Sequence, residues 1–219
     1  AGLQKAGMTI DFTLDEQVFS VTKEWISDVL DAFSPYVDDA IGEAHKNVQV
    51  IKMLATLVEE GDYDSDDFHL VLIFNDAAPQ SVESVYAKLY ALSLTKAPLR
   101  SLNLTGAFGK LTNCAWISGK PIELSYLRDR EIELKLRDEY PKIDYVDKFP
   151  RYLAHIIPAD NVRILDDSKV RMGAGIAAGT TVMPGASYIN FNAGTTGTVM
   201  VEGRISSSAV VGEGSDVGG

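Results

Sequence analysis

The chain has 219 residues, of which 46% are hydrophobic and 23% charged, the composition of an ordinary globular protein with one or two domains. The formal net charge of −11 argues against a non-specific nucleic-acid binder and against a partner on an anionic membrane surface. The N-terminal residues lack the apolar core of a signal peptide, and no apolar run approaches the roughly 20 residues that span a bilayer, so we expect a cytoplasmic protein.

The first 67 residues have the spacing of two helices. Thr13 and Glu16 are spaced as a capping box for the first helix, and Pro35 is expected to end it. The apolar residues of this helix share one face: Val18, Phe19, Trp25, Ile26, Val29, Leu30 and Phe33. The second helix is expected to turn another set inward: Ile41, Ala44, Val48, Ile51 and Leu54. Residues 59–67 are acidic and contain glycine, so they are predicted to form a loop.

The next part of the chain is predicted to mix strands, turns and helices. Residues 68–74 are typical of a buried strand, and residues 75–80 of a turn. Ser81 is positioned to cap a helix whose apolar side consists of Val85, Tyr86, Leu89 and Leu92. The remaining predicted elements are short strands and turns over residues 99–117, a surface helix over 123–140 that ends at Pro141, and a short strand over 143–146.

The pattern changes near Pro158, where helical spacing disappears and glycine becomes frequent. We therefore predict two domains, a mixed α/β domain over residues 1–157 and a second domain over residues 158–219. Residues 148–158 are the predicted connection between them.

The second predicted domain contains a six-residue repeat. Its large apolar positions form two series: Ile164, Val170, Ile176, Val182 and Tyr188, then Val199, Ile205, Val211 and Val217. The residue four after each is small or short: Ser168, Ala174, Thr180, Ala186 and Asn192, then Gly203, Ala209 and Ser215. The two series are out of phase by one residue, and residues 192–197 between them are predicted to form a loop. An antiparallel sheet would instead alternate with a period of two.

This repeat predicts a left-handed parallel β-helix. A short strand and a turn use about six residues, and three such units close a triangular coil with one apolar side chain per unit inside. The predicted fold is therefore a mixed α/β N-terminal domain followed by a left-handed parallel β-helix of about three coils, as in CoA-dependent acyltransferases that use hexapeptide repeats. Because the chain stops in mid-pattern at Gly219 without a cap, we expect it to be a C-terminally truncated fragment.

Several other features are explained structurally. The glycine-rich segments 173–179 and 212–218 lack the dinucleotide-binding spacing and open no helix, so we interpret them as turns of the coil. The single cysteine, Cys114, excludes an internal disulfide framework and is expected to be a small buried residue. None of the three histidines lies in the repeat, which argues against a zinc enzyme built on coil histidines, and His155 is expected to be structural.

Glu202 and Arg204 are the candidate site residues of the repeat. A carboxylate here can accept a proton from an attacking amine, and a guanidinium can bind a carboxylate through two hydrogen bonds. On spacing alone, the plainer interpretation is that both are solvated residues on the outside of a coil.

Several segments resemble the tetrahydrodipicolinate N-succinyltransferase family. The most specific is residues 199–219 (VMVEGRISSSAVVGEGSDVGG), in which MVEGRIS is followed by GSDVGG. Further similar segments are residues 86–116 with LNLTGAFGKLTNCAW, 146–150 (VDKFP), 163–173 and 180–197 (TTVMPGASYINFNAGTTG). The resemblance extends over residues 68–219, whereas the first 65 residues carry little of it.

The resemblance implies a reaction and its partners. Members of this family transfer a succinyl group from succinyl-CoA to the amine of ring-opened tetrahydrodipicolinate, on the way to diaminopimelate and lysine. It implies succinyl-CoA as a co-substrate without a permanently bound cofactor, and a small dicarboxylate acceptor. It also implies a homotrimer with each active site between neighbouring β-helices, and neither nucleic acid nor a membrane as a partner.

The resemblance also assigns site residues. Glu202 matches the family's catalytic glutamate, which acts either as a general base or as a nucleophile that forms an acyl-anhydride. Arg204 matches an arginine that binds succinyl-CoA, and Gly219 matches a backbone contact to the same molecule. Some members bind magnesium on the trimer axis through two acidic residues. The aligned positions here are Ser168 and a residue near Gly185, so no metal site is expected.

Two other functions remain open. One is N-acyl transfer from a different acyl-CoA, such as acetyl-CoA, by another hexapeptide-repeat enzyme, which a panel of acyl-CoA donors would distinguish. The other is a non-enzymatic β-helix scaffold for trimerisation, which should not bind CoA.

Overall fold

The computed structural model describes residues 8–37 and 45–219. Contacts between residues divide the chain into two compact units, Ala1–Asp76 and Ala77–Gly219. Within the part of the chain that is described, no helix is both long enough and apolar enough to cross a membrane.

The first unit combines a two-stranded antiparallel sheet with two helices. Strand β1 (Glu16–Ser20) pairs with β2 (His69–Ile73), and helices α1 (Lys23–Val37) and α2 (Lys46–Glu60) supply most of the core. The buried apolar residues of this unit form one cluster: Met8, Val21, Trp25, Ile26, Ile51, Leu54 and Tyr63.

Helix α1 begins later than predicted. Residues 16–20 form β1, so the capping box predicted at Thr13 and Glu16 is wrong. Thr22 occupies the start of the helix, and its hydroxyl accepts a hydrogen bond from the Trp25 backbone N–H at 3.1 Å. Antiparallel pairing with β2 satisfies the backbone of residues 16–20, and this tertiary contact outweighs the local helical spacing.

Other predictions for this unit hold in part. Trp25 and Ile26 lie on the buried face of α1 as predicted, but Pro35 lies inside the helix and does not end it. The strand predicted over residues 68–74 is confirmed as β2, although its residues are only partly buried.

Helix α2 has the predicted inward face. Val48, Ile51 and Leu54 are buried, whereas Ile41 and Ala44 lie outside the described residues. The helix extends to Glu60, two residues into the predicted loop, and ends at Gly61 with a φ of +81°. Glycine adopts this left-handed conformation without the strain that a side chain would cause.

The second unit begins with helix α3 (Val82–Ser93), and the predicted Ser81 cap is confirmed. The Ser81 hydroxyl accepts a hydrogen bond from the Ser84 N–H at 3.1 Å, and the Ser84 hydroxyl accepts one from the Ser81 N–H at 3.3 Å. This reciprocal capping box satisfies two donors at the helix start. The predicted apolar face is also correct, since Val85, Leu89 and Leu92 are fully buried.

A three-stranded antiparallel sheet follows α3. Strand β3 (Cys114–Ile117) lies between β4 (Lys120–Glu123) and β5 (Tyr145–Asp147). A short helix, α4 (Ala107–Lys110), precedes the sheet in a region where only strands and turns are predicted.

The predicted surface helix is two short helices, α5 (Leu124–Asp129) and α6 (Glu131–Leu136), with Arg130 between them. Ile132 and Leu136 are 75% and 84% exposed, so α6 has little apolar packing to continue it toward Pro141. The prediction of one helix over residues 123–140 is therefore wrong in its continuity and its end.

The last part of the chain forms a three-sided coil of short parallel strands. The first stack contains β6 (Arg163–Ile164), β7 (Thr181–Val182), β10 (Met200–Val201) and β13 (Asp216–Val217). The second contains β8 (Tyr188–Ile189) and β11 (Arg204–Ile205), and the third contains β9 (Gly194–Thr195) and β12 (Val210–Val211). The chain visits the three stacks in turn, so the repeat correctly predicts a coil of parallel strands.

The inward residues of the coil differ from the predicted series at two positions. Ile189 is fully buried in the second stack, whereas Tyr188, which the six-residue series places inside, is only half-buried. In the first stack, Val201 aligns with Val182, although the series places Val199 there. Only Tyr188 and Val199 are therefore out of register, and the other residues of both series occupy the predicted inward positions, although Val199 is itself buried.

On two sides of the coil, the number of residues from one inward position to the next differs from six. Ile189 follows Val182 by seven residues, and Ile205 follows Val201 by only four. The predicted loop over residues 192–197 contains β9 instead, so the phase break does not lie there. We call residues 202–204, at the short side, the recessed corner.

The change from helices and antiparallel strands to the coil occurs between the 3-10 helix Tyr152–Ala154 and β6. Pro158 lies in this interval, but it also lies inside the second compact unit. The division into domains over residues 1–157 and 158–219 stays a prediction.

Candidate active site

Glu202 and Arg204 lie on the outside of the coil at the recessed corner. Both side chains are exposed, and they alternate along the chain with the buried residues Val201, Gly203 and Ile205. Neither side chain forms a hydrogen bond or an ion pair with any residue in the described ranges 8–37 and 45–219. Their charges are therefore available to a ligand.

The backbone of the recessed corner is held by the next coil. The N–H groups of Glu202 and Gly203 both donate to the Val217 carbonyl oxygen at 2.8 Å. A Cβ atom at Gly203 would lie only 2.1 Å from the Gly218 carbonyl oxygen. Because only glycine permits this approach, Gly203 lets the next coil fix the backbone that carries Glu202.

Gly219 lies against the same corner. A Cβ atom at Gly219 would lie 3.3 Å from the Glu202 carbonyl oxygen and 3.6 Å from the Ala186 Cβ. Neighbouring strands in a stack are about 4.8 Å apart, so residues two coils apart are normally separated by about 10 Å. Ala186 and Gly219 come close because the side that holds Glu202 is short and its corner is set back. The structure therefore brings Glu202 and Gly219 together. Arg204 follows Glu202 by two residues in the chain.

Tyr188 is a neighbour of Arg204 that the sequence prediction places inside the coil. The two residues are register partners on the parallel strands β8 and β11, and both point outward because Ile189 and Ile205 point inward. Burial raises the pKa of the Tyr188 phenol, so the hydroxyl stays protonated and can donate a hydrogen bond at neutral pH. Ile189, the adjacent aliphatic residue, fills the inward position instead, and the sequence alone does not show which of the two residues does so.

A buried network of charged residues lies next to Tyr188. Asp147 accepts hydrogen bonds from Arg171 Nε and Nη2, both at 2.9 Å, and from Arg151 Nη1 at 2.7 Å. Burial by itself raises the pKa of Asp147, but the hydrogen bonds from the two arginines outweigh it and hold the pKa below its usual value. Arg171 also donates to the Asn190 side-chain oxygen at 3.1 Å, which ties the network to the coil. Sequence reasoning did not identify this network, because its members are far apart in the chain.

The other singled-out residues have structural surroundings. His155 Nδ1 lies 2.8 Å from the Tyr90 hydroxyl, and burial lowers the pKa of the imidazole, so the ring is neutral at physiological pH. Cys114 is half-buried rather than fully buried, and burial raises the pKa of its thiol, which makes it a weak nucleophile. The two glycine-rich segments lie in turns and short strands of the coil, as predicted.

The expected absence of a metal site stays a prediction. Ser168 and Gly185 are exposed and supply no carboxylate. Across the described residues, no three side chains of His, Cys, Asp or Glu are grouped in a way that could hold a metal ion.

Comparison with known proteins identifies the family. The family model described as tetrahydrodipicolinate N-succinyltransferase N-terminal matches residues 1–109, and the model of the middle region matches residues 111–151. The chain belongs to the tetrahydrodipicolinate N-succinyltransferase family. The match to this succinyltransferase family includes the first 65 residues, which carry little of the resemblance noted in the sequence.

Individual succinyltransferases of this family are similar over almost the whole chain. A 2,3,4,5-tetrahydropyridine-2,6-dicarboxylate N-succinyltransferase from Sulfurimonas denitrificans is 61% identical over 217 residues, which are 99% of this chain and 54% of the relative. One from a Nitratiruptor species is 66% identical over 204 residues, which are 93% of this chain and 51% of the relative. The chain thus spans about half the length of these curated relatives.

A solved structure is similar as well. It is the crystal structure of a 2,3,4,5-tetrahydropyridine-2-carboxylate N-succinyltransferase from Campylobacter jejuni, with a TM-score of 0.92 and 56% sequence identity. The similarity covers 100% of this chain and 55% of that one. The fold described above is therefore shared with a succinyltransferase of known structure.

Proposed function

We propose that the protein transfers the succinyl group of succinyl-CoA to the amine of ring-opened tetrahydrodipicolinate, 2-amino-6-oxopimelate, in the pathway to diaminopimelate and lysine. Family membership and the names of the relatives support this activity. The observation that carries the proposal is the recessed corner, where Glu202 and Arg204 are exposed, lie two residues apart and have no partner in the described part of the chain.

The reaction is the aminolysis of a thioester. The neutral amine of the acceptor attacks the thioester carbonyl carbon, so that a C–N bond forms and the C–S bond to CoA breaks. Glu202 accepts the proton that the amine loses, and the proton then passes to the departing thiolate of CoA. Hydrogen-bond donors placed around the carbonyl oxygen stabilise the tetrahedral intermediate.

A second role for Glu202 involves a covalent step. The carboxylate itself would attack the thioester carbonyl carbon and expel the CoA thiolate, which leaves a mixed anhydride between Glu202 and the succinyl group. The acceptor amine would then attack the succinyl carbonyl carbon of this anhydride, release the Glu202 carboxylate and lose its proton to the thiolate. In either mechanism Arg204 binds succinyl-CoA, and the backbone of Gly219 contacts the same molecule. No permanently bound cofactor takes part in either mechanism.

The proposal includes an architecture. The coil is left-handed, residues 158–219 are its domain, and residues 1–157 form the α/β domain that precedes it. Three chains assemble into a cytoplasmic homotrimer in which each site lies between neighbouring coils. A site between chains agrees with the exposure of Glu202 and Arg204 in the single chain. The partners are small molecules, and neither nucleic acid nor a membrane takes part.

Replacement of Glu202 tests the function. In the full-length protein, Glu202→Gln keeps the size and polarity of the side chain and removes the base, so we expect kcat to fall about 10²- to 10⁴-fold. CoA release from succinyl-CoA in the presence of the acceptor measures turnover, and calorimetry should find CoA binding largely unchanged.

Glu213→Gln is the matched control, since Glu213 is another exposed glutamate of the coil and has no assigned role. It should leave both turnover and CoA binding at the wild-type level. Wild-type turnover in the Glu202→Gln protein would rule out the assigned role, and transfer of acetyl groups in preference to succinyl groups would favour the alternative acyltransferase.

A further inference from the structure

The outward face formed by β8 and β11 is rich in hydrogen-bond donors. The register places Lys169, Tyr188 and Arg204 in one column on successive coils, because Val170 aligns with Ile189 and Ile189 with Ile205. Arg171, Asn190 and Ser206 form the neighbouring column by the same register. These six outward residues include three cations and no carboxylate, although the chain as a whole has a net charge of −11.

Most of these cations already have partners. Arg171 is bound by Asp147 through two hydrogen bonds, and Lys169 lies 3.9 Å from an Asp166 carboxylate oxygen. Arg204 has no such partner among the residues that the structure describes. The positive charge of this face that is left for a ligand is therefore centred on Arg204.

Tyr188 supplies a second free donor beside Arg204. Its hydroxyl makes no hydrogen bond to any residue described in the structure, while its ring is held in place. The guanidinium carbon of Arg171 lies 5.7 Å from the ring centroid, and Asp147 and Asn190 fix the orientation of that guanidinium. Register partners on neighbouring strands lie about 4.8 Å apart, which is close enough for both side chains to reach one carboxylate.

We infer that Tyr188 and Arg204 together bind the terminal carboxylate of the succinyl group and thereby select succinyl-CoA over acyl-CoA donors without that carboxylate. The inference rests on the proposed function, which places Arg204 on succinyl-CoA and Glu202 at the reacting amine. Two methylene groups separate the carboxylate of a succinyl group from its thioester carbon. Glu202 and Arg204 are two residues apart across the bend at Gly203, so their Cα atoms are at most about 7 Å apart, and Arg204 can hold the carboxylate while the thioester carbon lies near Glu202.

The test compares two donors of equal chain length. Butyryl-CoA has a methyl group where succinyl-CoA has its terminal carboxylate, so the ratio of the two affinities isolates the carboxylate contact. In the full-length protein, Tyr188→Phe keeps the ring against Arg171 and removes only the hydroxyl. Because a hydrogen bond to a charged group is lost, we expect the preference for succinyl-CoA to fall about ten- to hundredfold.

Both binding and turnover are measured. Calorimetry gives the Kd of each acyl-CoA, and steady-state assays give kcat/KM for each donor and KM for the acceptor. Tyr126→Phe, which removes the hydroxyl of an exposed tyrosine on α5, is the matched control and should change none of these values.

The possible outcomes separate the inference from the proposed function. An unchanged donor preference in Tyr188→Phe, or equal affinity of the wild-type protein for both donors, overturns the inference. A rise in the acceptor KM with an unchanged donor preference also overturns it and assigns the carboxylate to the acceptor. If the wild-type protein prefers succinyl-CoA and Tyr188→Phe loses this preference, the inference holds even when no succinyl transfer is detected, and only the proposed function fails.

Discussion

Gly203 is the residue on which the geometry of the recessed corner depends most directly. A methyl group there would meet the Gly218 carbonyl oxygen, so we expect Gly203→Ala to lower the free energy of unfolding by about 1–3 kcal/mol, the usual cost of overpacking. Displacement of the corner should also reduce turnover, because Glu202 would move with it. Chemical denaturation and steady-state kinetics measure the two effects.

Gly212 provides the matched control for this substitution. A Cβ atom at Gly212 would meet no heavy atom within 4 Å, so Gly212→Ala should change stability little. Equal unfolding free energies for the two variants would contradict the assigned role of Gly203.

The orientation of single residues was predictable only where the repeat is regular. The six-residue spacing places Val170, Ile176 and Val182 inside, and all three are buried. The same spacing places Tyr188 inside, but one extra residue on that side puts Ile189 there instead. Both residues are apolar enough for a buried position, so the sequence alone does not distinguish the two phases. The spacing that predicts the fold therefore assigns Tyr188 to the wrong surface.

At the scale of elements, Asp147 joins β5 to the coil through Arg171. Its side chain is 7% exposed and faces two arginines, so Asp147→Asn would leave the buried Arg151 and the partly buried Arg171 without this counter-charge. We expect the free energy of unfolding to fall by about 3 kcal/mol, as when one partner of a buried ion pair is removed. Glu131→Gln, which removes an exposed ion pair with Lys135 on α6, should have little effect.

The same carboxyl makes the stabilisation depend on pH. The pKa of Asp147 in the folded protein lies below that of the unfolded chain, so its contribution is fully present above the unfolded value of about 3.9. It is lost as the pH falls through the lower folded value. The difference in unfolding free energy between wild type and Asp147→Asn should therefore be constant near neutral pH and shrink below about pH 4. A difference that grows on acidification would contradict this account.

Some elements were predicted from local signals and others were not. The cap at Ser81 and the inward face of α2 depend on neighbouring residues in the chain, and both predictions are confirmed. Strand β1 depends on pairing with β2, which lies about fifty residues away, and local spacing instead indicated a helix. The ion network around Asp147 is missed for the same reason, since contacts distant in sequence leave no periodic signal.

At the scale of the whole molecule, the single chain leaves the proposed site open on one side. We expect the full-length protein to have the mass of three chains in solution and to bind CoA, because the proposed site is shared between neighbouring coils. Light scattering coupled to size-exclusion chromatography, with and without CoA, measures both the mass and any change on binding.

The result distinguishes the enzyme from the scaffold. A trimer that does not bind CoA would favour the non-enzymatic alternative. A monomer with full succinyltransferase activity would contradict a site shared between chains.

The recessed corner also has a consequence for how this protein can change in evolution. An insertion between Val201 and Ile205 would push the corner into Ala186 and Gly219, which leave no space for it. The turn at residues 184–185 is exposed and lies on the side of the coil that already holds one residue beyond the six-residue period, so it can lengthen at little cost. We therefore expect insertions to be tolerated at only one of these two corners, and that corner borders the groups that would contact the acyl donor. Lengthening that turn would change the surroundings of Tyr188 and Arg204 while the position of Glu202 stays the same.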